Sequence, residues 1–219
     1  MNTAELKLAA GRAALPYVKR GAVLGVGSGS TVNAFISLLP TLPFKVTQAI
    51  AASTASEALL KAQGIAIADL NNVDRIGVYV DGADEVGPGL ALVKGGGAAL
   101  TREKILAQAS DQFVCIADAS KIVPVLGKFP LPVEVIPMAR TQVAKALTAL
   151  GGTPVWREGV TTDNGNHILD VQNLQITAPA EYETLLNQIP GVVTNGLFAL
   201  RAADIAYIAA ADGVRTLSR

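Results

Sequence analysis

The 219-residue sequence predicts an α/β protein, a doubly wound and mostly parallel sheet joined to a smaller α+β domain. Three observations carry this. Short apolar runs alternate with amphipathic stretches between residues 22 and 117, as buried parallel strands alternate with covering helices. Ala, Val, Leu, Ile and Gly dominate a chain that is 50% hydrophobic and only 5% aromatic. At Leu126-Gly127-Lys128-Phe129-Pro130-Leu131-Pro132 the texture changes, and the element order becomes β-α-β-β-α-β, the ferredoxin-like arrangement.

Taken in order, residues 1–21 form a charged amphipathic helix, and 22–26 a buried strand running into Gly27-Ser28-Gly29-Ser30-Thr31. A helix follows over 32–39, then a strand over 46–51, a helix over 53–63 and a short strand over 65–68. The strong strand 76–80 leads through a glycine-rich connection to a helix over 98–109 and the strand 113–117. In the second part a strand (133–136) and a helix (138–150) precede two strands joined at a tight Asp163-Asn164-Gly165-Asn166 turn. A helix over 180–187 and a last strand complete that unit, and the apolar tail 203–217 is expected to rejoin the first sheet. The expected division is therefore 1–127 completed by 200–219, with 128–199 as the α+β domain.

Composition excludes several functions. The 18 Lys+Arg balance 18 Asp+Glu without a basic stripe, so nucleic acid and anionic membrane are not expected partners. No stretch approaches the length of a membrane span or a signal core, which points to the cytosol. The one cysteine, Cys115, lies in an apolar run and reads as a core thiol. The one histidine, His167, follows a turn and reads as strand decoration. A zinc cluster and a Ser-His-Asp arrangement both need more imidazole or thiolate than the chain has. Any catalysis rests on carboxylates, lysines and backbone amides.

Three loops and a lysine offer those groups at strand ends, where ligands of open α/β sheets collect. Gly25-Val26-Gly27-Ser28-Gly29-Ser30-Thr31 is a strand, glycine turn and helix start, a geometry that aims N–H groups at an anion. It lacks the Gly-Lys-Ser/Thr of a nucleotide P-loop. It also fails G-x-G-x-x-G, with Ser30 at the third glycine and no acidic residue about 20 positions on. Asp81-Gly82-Ala83-Asp84-Glu85 clusters carboxylates after a strand, suited to hydroxyl recognition, proton transfer or a metal. Lys94-Gly95-Gly96-Gly97 precedes a helix on which Ala99, Leu100, Glu103, Leu106 and Ala107 share a sector of roughly 120° at about 100° per residue. A carboxylate inside an apolar stripe is desolvated, which raises its pKa as a general base requires. Lys121, in Asp118-Ala119-Ser120-Lys121, emerges at the same sheet edge.

The segments GVGSGST (25–31), YVDGADE (79–85), KGGGAALTREK (94–104), IADASK (116–121), LGKFPLPVEVIPMA (126–139), TDNGNHILD (162–170) and PGVVTNGLF (190–198) resemble those of the type A ribose-5-phosphate isomerases. The resemblance implies a Rossmann-like catalytic domain plus a ferredoxin-like one, and a homo-oligomer, most simply a dimer. It implies reversible conversion of D-ribose 5-phosphate to D-ribulose 5-phosphate in the pentose phosphate pathway, without cofactor or metal. Carried onto this chain, Glu103 would be the base, Asp81 and Asp84 would contact hydroxyls or assist ring opening, and Lys94 would stabilise the enediolate oxyanion. Ser28, Ser30, Thr31 and Lys121, with the backbone of Gly29, Gly82, Ala83, Gly95, Gly96 and Gly97, would hold the sugar and its phosphate. Two other readings stay open on the residues alone. A nicotinamide-dependent dehydrogenase is disfavoured by the broken fingerprint, and a non-catalytic sugar-phosphate sensor would have no use for a base at position 103.

Overall fold

The computed structural model describes all 219 residues. In chain order the first elements are α1 (Thr3–Ala14), β1 (Leu24–Val26), α2 (Ser30–Leu38), β2 (Gln48–Ala51), α3 (Thr54–Ala62), β3 (Ala66–Ile67) and β4 (Val78–Asp81). Next come β5 (Glu85–Val86), β6 (Leu92–Val93), α4 (Leu100–Gln108), β7 (Phe113–Asp118), β8 (Leu131–Val135) and α5 (Arg140–Ala149). The last are β9 (Thr153–Trp156), β10 (His167–Gln172), α6 (Pro179–Asn187), β11 (Val192–Asn195), β12 (Leu197–Phe198), β13 (Ile205–Ala210) and β14 (Gly213–Ser218).

The chain divides into two units. The first comprises residues 1–83, 102–121 and 203–219, the second 84–101 and 122–202.

The first unit holds a seven-stranded sheet in the order β14-β13-β7-β4-β1-β2-β3. All neighbours are parallel except the edge hairpin β13–β14, formed by the tail as expected. The sheet runs outward from β1 through β2 and β3 on one side and restarts with β4 on the other. The boundary between β1 and β4 is thus a topological switch point, where strand C-termini diverge into loops. Local chemistry starts the helices where the pattern predicts. Asn2 accepts the Glu5 N–H at 3.0 Å and gives its own N–H to the Glu5 carboxylate at 2.8 Å, a reciprocal cap for α1. Ser53 caps α3 through the N–H of Ser56. Leu24, Val26, Val78, Val80, Val114 and Ile116 on the sheet share one core with Ala10, Phe35 and Ile36 from the helices. Burying each large side chain contributes about 1.5–3 kcal/mol. Cys115 is buried in β7, as its apolar context predicts.

In the second unit, β8-α5-β9-β10-α6-β11 builds an antiparallel sheet in the order β11-β8-β10-β9. This is the ferredoxin-like arrangement read from the sequence. Leu131, Val133 and Val135 of β8 pack with Val143 and Leu147 of α5 and Leu186 of α6.

Four features depart from expectation. The first helix, expected over residues 1–21, ends at Ala14, and Pro16 lies in the 3-10 turn over 15–17 that follows it. Two strands, β5 and β6, lie in what the pattern reads as a glycine-rich connection and pair with β12 in a small antiparallel sheet, because strands of two residues are too short to show a period. Residues 84–101, 122–127 and 200–202, assigned by the sequence to the first domain, group with the second unit. The cause is pairing: β6 pairs with β12, and the buried Glu85 carboxylate accepts the N–H groups of Gly127 (2.8 Å) and Phe129 (2.6 Å). Finally, the Asp163–Asn166 turn does not join β9 to β10 directly. Residues 157–166 connect those strands, and the turn closes within that loop through hydrogen bonds between Thr162, Gly165 and Asn166.

Candidate active site

In the first unit, β1, β4 and β7 end at one edge of the sheet, so residues 27–31, 81–83 and 118–121 all leave from there. Asp81 is the last residue of β4, and its side chain is 0% exposed. One carboxylate oxygen accepts the N–H groups of Gly82 (2.7 Å) and Ser28 (3.2 Å), and the other accepts the Tyr79 hydroxyl. A side chain at Gly27 would place its Cβ 1.9 Å from the Asp81 carboxyl carbon, so only glycine allows the loop to cross there. Gly29 is the N-cap of α2 and brings no side chain to its first turn. Ser30 and Thr31 are the first residues of that helix, beside amides suited to an anion.

Glu103 lies in the first turn of α4 and is 3% exposed, among buried Ala99, Leu100, Leu106 and Ala107 as the helical spacing predicts. Ser28 Oγ donates to Glu103 Oε1 at 2.9 Å. The structure thus brings together Ser28, Asp81, Gly82 and Glu103 from three separated segments. Lys121 ends a short 3-10 turn after β7 and is half-buried.

Sequence reasoning missed Tyr79. Its ring is buried against Phe113, with centroids 5.1 Å apart. Burial pushes its phenol well above the usual 10, and the charges of Asp81 and Glu103 add to the shift. The signal was available: two residues apart on a strand, Tyr79 and Asp81 share one face.

In the second unit, Lys94 is 3% exposed, with its ammonium 5.6 Å from the centre of the Phe198 ring. Asp84 is half-buried and accepts the Gly96 N–H at 2.8 Å. The glycine loop is tightly wound: Gly95 has φ 107°, and the Ala98 N–H returns to the Gly95 carbonyl at 2.9 Å. Ala98 itself adopts φ 62°, a left-handed conformation that costs an L-residue roughly 1–2 kcal/mol. Gly96 and Gly97 are exposed.

No group of three or more His, Cys, Asp or Glu side chains is placed to hold a metal ion. No helix is long and apolar enough to cross a membrane. Two surface clefts of the first unit, one lined by Leu42, Phe44 and Ile65 and one by Arg20, Asn72 and Arg75, contain none of the candidate residues.

A family model described as ribose 5-phosphate isomerase A (phosphoriboisomerase A) matches residues 48–213. Ribose 5-phosphate isomerase A from Neisseria gonorrhoeae is 44% identical, with a TM-score of 0.97 over 99% of this chain and 97% of that one. The enzyme from Methanocaldococcus jannaschii is 38% identical, with a TM-score of 0.92 over all of both chains. A D-ribose-5-phosphate isomerase in complex with phospho-erythronic acid is 39% identical, with a TM-score of 0.95, again over all of both chains.

Proposed function

From the premise that this chain belongs to the ribose 5-phosphate isomerase A family, we propose that Glu103 is its catalytic base, oriented by Ser28. The chain is an aldose–ketose isomerase that interconverts D-ribose 5-phosphate and D-ribulose 5-phosphate through an enediol(ate). The observation that carries the assignment of the base is the buried Glu103 carboxylate, which receives the Ser28 hydroxyl at 2.9 Å.

The proposed steps follow from the groups available. Glu103 takes the C2 proton of the open-chain aldose while negative charge develops on O1. The proton returns to C1, and transfer of the O2 proton toward O1 leaves the C2 ketone. A positioned base contributes about 10²–10⁴-fold to such a step. Lys94 is the cation we assign to the enediolate oxygen, a role suited to an ammonium withdrawn from water. Lys121, Ser30 and Thr31, with the amides of Gly29 and of the Gly95–Gly97 loop, are assigned to the phosphate and sugar hydroxyls. The relative that binds phospho-erythronic acid supports a site for a phosphorylated sugar acid.

Asp81 and Asp84 separate under this reading. Asp81 is fully buried and accepts three hydrogen bonds, so we assign it to holding the Ser28 turn in place. Asp84 is only half-buried, and we assign it to ring opening and the O1/O2 proton shuttle.

Glu103→Gln tests the base. Ribose 5-phosphate binding should persist while turnover falls by at least about 10²; unchanged turnover would remove Glu103 from the role. By the same family resemblance we read the chain as a cytoplasmic homodimer, which light scattering and cell fractionation would decide.

A further inference from the structure

We propose that Arg157 is a positioning residue, a clamp that pre-organises the Gly95–Gly97 loop and, through it, Asp84. The inference rests on the roles assigned above to that loop and to Asp84. It adds a residue that no motif pointed to, in the connection between β9 and β10.

All three guanidinium nitrogens donate hydrogen bonds. Its Nε donates to Asp170 Oδ2 at 2.7 Å and its second terminal nitrogen to Asp170 Oδ1, a two-point fork that holds the group in one plane. The remaining nitrogen donates to the carbonyls of both Gly95 and Gly96, at 3.1 Å each. Asp170 is on β10, in the middle of a strand hydrogen-bonded on both sides, so the anchor is rigid.

The consequence follows from peptide geometry. The peptide unit between Gly95 and Gly96 gives its carbonyl to Arg157 and its N–H to Asp84 Oδ2. Arg157 and Asp84 therefore grip opposite ends of one planar group, and the arginine fixes where that carboxylate points. The next peptide gives its carbonyl to Arg157 as well, which turns the Gly97 N–H to the opposite side. Three consecutive glycines would otherwise sample many conformations, and the left-handed Ala98 at their end adds a strained joint. Amides that stabilise developing charge act only if they are aimed before the reaction begins. A lysine could supply the charge at position 157 but not the planar fork that serves a carboxylate and two carbonyls at once.

The test compares the wild-type enzyme with Arg157→Lys, Arg157→Met and Asp170→Asn. Hydrogen exchange of the segment 94–100 should quicken by roughly 10-fold or more in Arg157→Met while β8 and β10 keep their protection. On ribose 5-phosphate, kcat/KM should fall by about 10–10²-fold in both Arg157 variants, and free guanidinium, but not ammonium, should restore part of the loss in Arg157→Met. Asp170→Asn should move both readouts the same way by less. A folded Arg157→Met whose loop exchange and kcat/KM match wild type would overturn the clamp. So would a lysine variant that behaves as wild type, and should Arg157→Met fail to fold, so would an Asp170→Asn enzyme with unchanged loop exchange. The exchange readout is independent of catalysis. Faster loop exchange with intact kcat/KM would therefore uphold the clamp and remove the loop and Asp84 from their assigned roles.

Discussion

Asp81, Asp84 and Glu103 are nearly the same chemical group in three surroundings. Glu103 is buried and accepts the Ser28 hydroxyl, Asp81 is buried and accepts backbone amides and a phenol, and Asp84 is half-buried. The assignment of ring opening to Asp84 has a sharp consequence. Ribose 5-phosphate arrives as a furanose, whereas ribulose 5-phosphate cannot close a ring through its phosphorylated O5. Asp84→Asn should therefore lose more activity from ribose 5-phosphate than from ribulose 5-phosphate, by roughly 10-fold, in initial rates taken in both directions. Tyr79 bears on alkaline stability. Burial first, then the charges of Asp81 and Glu103, the hydrogen bond to Asp81 and the neighbouring Cys115 all favour its neutral form. Above pH 10 the unfolded chain loses a proton that the native chain keeps, so stability that is complete below pH 10 declines as pH rises from there. In urea titrations between pH 8 and about 11, Tyr79→Phe should be less stable at pH 8 by about 1–3 kcal/mol but fall less steeply above pH 10 than wild type. Parallel curves would discount the phenol.

The strand β8 carries a different kind of carboxylate. Glu134 is 0% exposed and gathers the hydroxyls of Thr101 and Thr162 with the amides of Asn164 and Asn166. One side chain thus ties the first turn of α4, two residues before Glu103, to the Asp163–Asn166 turn. Removing it leaves several buried donors without an acceptor, so Glu134→Ala should cost about 3 kcal/mol or more, read from chemical denaturation. Glu134→Gln keeps one acceptor and should lose less. Sequence pattern showed the turn itself, since Asn-Gly is strong turn chemistry. It could not show that the turn serves a carboxylate some thirty residues earlier, because such pairings carry no period.

Across the whole chain, the first sheet is assembled from both ends of the sequence. β13 fills the place beside β7, and Asp204 accepts the Phe113 N–H at 2.7 Å just before it. Deleting residues 203–219 should uncover the β7 edge and the core beneath Ala206, Ile208 and Ala209. That truncation should abolish cooperative unfolding, seen as the loss of a single sharp transition by circular dichroism. A truncated chain that unfolds as wild type does would show that the tail is dispensable.

Features with local causes were legible along the chain. Apolar runs and glycine turns specified most of the longer strands and helices to within a few residues, and helical spacing put Glu103 at a buried position. The motifs YVDGADE and KGGGAALTREK pointed to the family, and with it to the substrate. Which of these groups meet depends on the folded arrangement. It joined Ser28 to Glu103 across 75 positions, enclosed Asp81 with Tyr79, moved residues 84–101 into the second unit and set Arg157 against the glycine loop from 62 positions away. The physical reason is that a hydrogen bond between distant segments leaves no pattern along the chain. It exists only once burial has brought the partners together and made leaving either one unsatisfied costly.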